Sequence, residues 1–157
     1  MVEFAFVAPV FFALLIAILQ LGVLGMMSAN FNGAMESVSR RIRTGQADKP
    51  ATAEEFRILI CARMVDTPTN CQSRVRVTVQ PVDSSFTGAR VLIQGQDPDD
   101  LTGRQAYATG RPEQVMLVTA TYSWPLALPF VGNAYVQDGA WNVLIVSRLA
   151  FRNEPWE

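Results

Sequence analysis

The chain has 157 residues, enough for an apolar N-terminal segment and one small domain of about 110–130 residues with its own core. Its formal net charge of -1 excludes an overall basic field for nucleic acid. The absence of histidine removes the commonest general base and the commonest metal ligand, and two cysteines are too few to hold a structural zinc by themselves.

Phe4 to Met27 is an apolar run whose only polar side chain is Gln20, with Glu3 at its leading edge. A spanning helix needs about 20 mostly apolar residues, so this stretch is long enough to cross a bilayer. It is too long for the apolar region of a signal peptide, no small-residue cleavage site of A-x-A type follows, and it reads as retained. A carboxylate costs roughly 2.5–3.5 kcal/mol at the bilayer centre on insertion scales, so an acid beside a span calls for a use. Phe4, Phe6, Pro9, Phe11, Leu14, Ile18 and Gly22 are the candidate contacts with lipid or with neighbouring helices. Gly22 and Gly25, with Ala29 a turn further on, would permit close helix contact; plain lipid exposure is the alternative. Gln20 is expected to find its partner on a neighbouring helix. Pro9 removes one helix hydrogen bond. It reads either as a harmless kink near the helix start or as a local melt that lets the helix extend on leaving the bilayer.

The helix is expected to continue beyond the span, as an amphipathic extension over residues 28–43. Phe31, Met35, Val38 and Ile42 recur at spacings of four, three and four and line one face. Thr44-Gly45 supplies a stop signal. The rod would be about 60 Å long at 1.5 Å per residue, its first half facing lipid and its second half packed on the domain formed by residues 46–157. Arg40, Arg41 and Arg43, beyond the span, argue for a cytoplasmic C-terminal side; a basic leader removed by a peptidase would reverse that balance.

In the domain, Thr52-Ala53-Glu54-Glu55 reads as a capping box that opens a helix from Ala53 to Met64. Asp66 to Asn70 is expected to be a loop containing Pro68. Arg74 to Gln80 alternates, with Val75, Val77 and Val79 on one side, and reads as a half-buried strand ended by Pro81. Arg90–Gln94 is a short strand candidate and Gln94–Arg111 a long polar loop. Gln114–Trp124 is a strand rich in Val, Thr and Tyr, Pro125 to Pro129 a break, and Ala140–Phe151 the last strand. Phe151 should be core, and Arg152 and Glu154 are expected to pair locally. The fold class that follows is α+β: a long N-terminal helix packed on a small, mostly antiparallel sheet, with a short second helix.

Cys61 and Cys71 stand ten residues apart, near the end of the second helix and just before the first strand. A disulfide there would tie helix to strand and contribute roughly 2–4 kcal/mol, provided the compartment is oxidising. Two buried free thiols are the alternative, and a C-x-x-C redox site is excluded by the spacing.

No catalytic constellation is legible. Ser84, Ser85 and Ser123 have no histidine to activate them, the single lysine, Lys49, sits in a turn, and no Gly-rich phosphate loop or other cofactor signature is present. Asp97-Pro98-Asp99-Asp100 clusters carboxylates but lacks the spacing and terminal glutamate of an EF-hand, so it reads as a solvated loop and no metal site is assigned. The aromatics and prolines of Trp124 to Val131 read either as a subunit interface or as a folded-over core edge.

The opening Val2-Glu3-Phe4-Ala5-Phe6-Val7-Ala8-Pro9, with the Leu/Phe/Ile-rich run behind it, resembles the start of TadE-like minor pilins of the tight-adherence (Tad/Flp) type IV pilus system. The ending Phe151-Arg152-Asn153-Glu154-Pro155-Trp156, together with Tyr122-Ser123-Trp124-Pro125 and the cysteine pair, is similar to one branch of that family. The resemblance implies a non-enzymatic minor pilin or pseudopilin that takes part in pilus assembly or initiation. It implies a place in the inner membrane with a periplasmic domain, or incorporation in an extracellular pilus. Its implied partners are other minor and major pilins and, during maturation, a prepilin peptidase that cuts a short basic leader. Glu3 takes the assembly role by that motif, pairing with the α-amino group of an adjacent subunit; the alternative is a solvated carboxylate at the headgroup level. The family places slightly more chain between the cut and the glutamate than Met1-Val2. The alternative is a membrane-anchored periplasmic binding module outside any filament.

Overall fold

The computed structural model describes residues 2–82, 107–127 and 141–155. One helix, α1 (Val2–Arg43), runs about 63 Å at 1.5 Å per residue. It passes through Pro9 without interruption. It ends where the sequence places a stop. Gly45 takes a left-handed φ of 62°, its N–H donates to the Ile42 carbonyl at 3.1 Å, and the Gln46 N–H donates to the Arg41 carbonyl at 3.1 Å. This is a Schellman closure, in which a glycine past the helix end turns the chain so that two orphan carbonyls are satisfied.

Two short helices follow, where one was expected. α2 (Ala53–Cys61) opens on the anticipated Thr52 cap: the Glu55 N–H donates to Thr52 Oγ1 at 3.2 Å, and Glu55 Oε2 reaches back one residue beyond the cap to accept from the Ala51 N–H at 2.7 Å, a variant of the capping box. It stops at Cys61, short of Met64, because the following turn tightens to i→i−3 bonds from Arg63 to Ile60 and from Met64 to Cys61. Met64 is buried all the same. α3 (Pro68–Arg74) corrects the expected loop. Thr67-Pro68 is a helix start, since proline fixes φ and its missing N–H costs nothing at the first helical position. The turn is secured by the Cys71 N–H donating to the Thr67 carbonyl at 3.0 Å.

The sheet is three-stranded and antiparallel in the order β1 (Val75–Val82), β2 (Val115–Pro125), β3 (Asn142–Arg152). Val75 pairs with Tyr122 and Val82 with Val115; Val115 pairs with Arg152 and Pro125 with Asn142. β1 carries Pro81 inside its last turn of pleat, a position an outer strand tolerates. Tyr107 bridges the outer side of β1 at Val79. The expected second strand over Arg90–Gln94, the loop carboxylates Asp97, Asp99 and Asp100, and Ser84 and Ser85 lie outside the described residues.

The main core lies between α1 and one face of the sheet. Phe31, Met35, Val38 and Ile42 of α1 are fully covered and meet Val75, Val77, Val79, Met116, Val118, Ala120, Tyr122 and Phe151, with Phe56 and Ile60 of α2 closing the side. The Phe31 and Tyr122 rings stack with centroids 5.8 Å apart. The other face is less polar than strict alternation implied: Thr78, Thr119 and Thr121 are buried, and Val82, Val115 and Leu117 form a second cluster with Ala150.

Candidate functional site

The helix α1 has two environments. From Phe4 to Leu19 its large described side chains are uncovered: Phe4 and Phe6 are each 75% exposed, Phe11, Leu14 and Ile18 are more than half exposed, and Pro9 is exposed. Among the described residues this is the one helix long and apolar enough to cross a membrane, and only 11% of its most apolar window is covered by the rest of the chain. Glu3 lies in the first turn of α1 by its backbone, and its side chain lies outside the described residues. Gly22 is exposed, and a Cβ built at Gly22, Gly25 or Gly33 meets nothing within 4 Å. The packing among the described residues therefore does not require these glycines. Each costs the helix roughly 1 kcal/mol relative to alanine.

Packing on the domain begins at Gln20 and Leu24, inside the stretch read as membrane span. Gln20 is buried within the single chain, which removes the need for a neighbouring subunit to cover it. Leu24 packs on Leu126 and Val143, with Trp124 and Ile145 alongside. The start of β3 therefore sits beside residues 21–28 of the helix, and its end beside residues 36–43, where Leu149, Ala150 and Phe151 face Ser39, Arg40 and Arg43.

Cys61 and Cys71 are joined in a disulfide with Cα atoms 5.7 Å apart. The link runs from the end of α2 to the middle of α3, not from helix to strand, because Cys71 belongs to a helix of its own. Both sulfurs are inaccessible, and Met64 Sδ lies 3.7 Å from Cys71 Sγ. The bridge fixes a seven-residue helix that is too short to persist alone. Beside it, the Tyr122 hydroxyl donates to Asp66 Oδ2 at 2.7 Å. Burial foremost, then the bond to Asp66, pushes the Tyr122 phenol up from its ordinary value; burial and the Glu55 carboxylate do the same at Tyr107, whose hydroxyl donates to the Pro50 carbonyl at 2.7 Å.

The C-terminal segment is a clasp that sequence reading missed. Asn153 is buried; its Nδ2 donates to the carbonyls of Thr109 at 3.1 Å and Arg111 at 3.0 Å, and its N–H donates to the Gln114 carbonyl at 2.9 Å. Gly110, at φ 70°, makes room for it: a Cβ there would lie 2.3 Å from Met116 Sδ and 3.2 Å from Asn153 Nδ2. The Glu154 N–H then donates to the Arg43 carbonyl at 2.8 Å, and its carboxylate lies 3.5 Å from Arg43 Nε. The last residues thus cap the far end of α1. Arg152 and Glu154 do not pair with each other: Arg152 turns to Glu113, donating to its carbonyl at 2.8 Å, and Glu154, beyond the end of β3, turns to Arg43. A glycine and an asparagine on either side of a strand give no periodic signal, so only the contact reveals them.

The comparisons with known proteins bear on the helix. The family model of the TadE-like protein matches residues 1–40, the segment that holds Glu3, the uncovered apolar stretch and most of the packed half of α1. No curated protein and no solved structure matches the chain. The match is to a pilus-associated family, and the apolar helix is consistent with membrane anchoring.

Proposed function

We propose that the chain is a minor pilin, or pseudopilin, that takes part in assembling or initiating a Tad/Flp-type pilus. In this reading α1 holds the chain in the inner membrane, the α+β domain of residues 46–157 projects into the periplasm, and the role is structural rather than catalytic. The observation that carries it is the family match over residues 1–40 falling on a helix whose apolar first half the described residues leave almost wholly uncovered. A helix so exposed needs either lipid or the apolar helices of sister subunits, because water contact costs about 25 cal/mol for each Å² of apolar surface.

Glu3 is the assembly residue. Once the apolar start of α1 leaves the headgroup level and enters a bundle of like helices, its carboxylate needs a cation. The α-amino group of an adjacent processed subunit has the right charge. A buried pair of this kind offsets desolvation only when its geometry is good, so it acts as a register device more than as a source of stability. The partners are other minor and major pilins of the same system, with a prepilin peptidase acting during maturation. The Cys61–Cys71 bridge supports an oxidising compartment for the domain.

Glu3→Ala tests the reading. The variant domain should unfold at the wild-type temperature, while the protein should disappear from sheared pili and pilus number should fall. Normal piliation with the variant at wild-type level in the filament fraction removes the role of Glu3. A wild-type protein that never co-purifies with pili leaves the anchored binding module as the better reading.

A further inference from the structure

The stretch of α1 uncovered on every side is shorter than a bilayer, while Leu21, Val23 and Met26 remain exposed on the outer side beyond it. From Phe4 to Leu19 the helix rises about 24 Å, whereas the hydrocarbon core is about 30 Å thick. Any tilt shortens its reach further. The hydrocarbon boundary measured from Phe4 therefore falls near Val23 and Leu24, one turn past the point where Gln20 becomes buried. At that level the helix is no longer alone: Leu24 is packed on Leu126 and Val143, at the end of the sheet where β2 finishes and β3 begins.

That end of the sheet has the chemistry of a membrane boundary. Trp141 is 57% exposed and Pro125 is exposed beside it; the two segments are tied by the Leu126 N–H donating to the Trp141 carbonyl at 2.7 Å. An apolar groove of about 310 Å³ opens between α1 and β3 at the same height, lined by Leu21, Leu24, Val143 and Leu144 among others. Residues 124–127 and 141–147 carry no charge, and α1 itself has no charged residue between Glu3 and Glu36. Tryptophan favours the headgroup level, where its ring is half in hydrocarbon and its N–H remains wet.

We propose that this end of the sheet is a lipid-contact surface. Trp141 and Pro125 sit at the headgroup boundary of the bilayer that holds α1, and the upper part of an acyl chain occupies the groove beside Leu24 and Leu144. The domain thus rests on the membrane and covers one side of the helix where it leaves the hydrocarbon. This inference rests on the membrane-anchored part of the function proposed above and not on the filament role.

The test uses the full chain in phosphatidylcholine vesicles, with Trp124 and Trp156 replaced by phenylalanine so that Trp141 is the only reporter. Acyl chains brominated near the headgroup should quench its emission by about half, and more than chains brominated near the tail end, with acrylamide quenching weak. If the double replacement disturbs folding, the difference between the wild-type chain and Trp141→Phe carries the same contrast. Full acrylamide quenching with no response to brominated lipid overturns the inference, as does shielding from acrylamide without bromolipid quenching, which would mean that a second copy covers Trp141. Vesicle flotation separates the two readings: a chain that floats with a water-exposed Trp141 sinks only this inference, and a chain that does not float overturns the membrane anchor as well.

Discussion

The two halves of α1 are built from similar apolar residues and meet opposite fates. Phe4, Phe11 and Ile18 stand clear of the domain, whereas Phe31, Met35 and Val38 are almost wholly covered by it. Composition does not separate them. Patterning does: the first half is apolar around its whole circumference, and the second carries exposed Glu36, Arg40 and Arg43 beside its buried stripe. A helix apolar on all sides has no side to give to water, so one small sheet does not satisfy it. The comparison shows that burial in this molecule is shared between the chain's own core and a surrounding it does not carry.

The largest expected effect breaks the symmetry between the halves. Phe31→Ala removes a ring that stacks on Tyr122 in the core and should cost about 3–5 kcal/mol in chemical denaturation of the detergent-solubilised chain. Phe11→Ala, the same chemistry on the uncovered half, should cost less than about 0.5 kcal/mol in that measurement. Equal losses would show that the two halves are not separate environments. Next comes the bridge: opening Cys61–Cys71 by a double replacement with serine should cost about 2–4 kcal/mol, and added reductant should reproduce the loss in the wild type alone.

The clasp at the far end of α1 comes third. Asn153→Ala leaves two carbonyls without their donor and should cost about 1–3 kcal/mol. Gly110→Ala should be of similar size, because the added methyl meets Met116 and the left-handed backbone disfavours it. Both are read by thermal unfolding, and neither should alter membrane flotation. The smallest effect is alkaline. Tyr107 and Tyr122 have folded pKa values raised above the ordinary 10 or so. Their contribution is therefore fully present below about pH 10 and is lost as the pH rises above it, since the unfolded chain releases those protons first. The melting temperature should fall between pH 9 and pH 11, by less in a Tyr122→Phe chain after correction for its lower starting stability.

Local rules made much of the fold readable. The periodic face of Phe31 to Ile42, the stop at Thr44-Gly45, the capping box at Thr52 and the alternation of Val75 to Val79 each depend on residues within a turn or two of one another. α3 is not legible locally, because Pro68 reads as a loop marker while Thr67-Pro68 can equally open a helix; the disulfide and the packing of Cys71 decide between the two. The assembly role proposed for Glu3 rests on motif resemblance, not geometry. The family match covers its position.

The sequence by itself determined the long helix, α2 and the three described strands, and that the N-terminal apolar run exceeds what a small core can absorb, because these follow from short-range periodicity and from counting apolar residues. The tertiary structure alone decided where the helix leaves its surroundings and joins the sheet, and that Glu154 closes the far end of α1 while Asn153 anchors the strand beside it. Those features join residues far apart in the chain, and no local pattern encodes which side chain a distant carbonyl will meet.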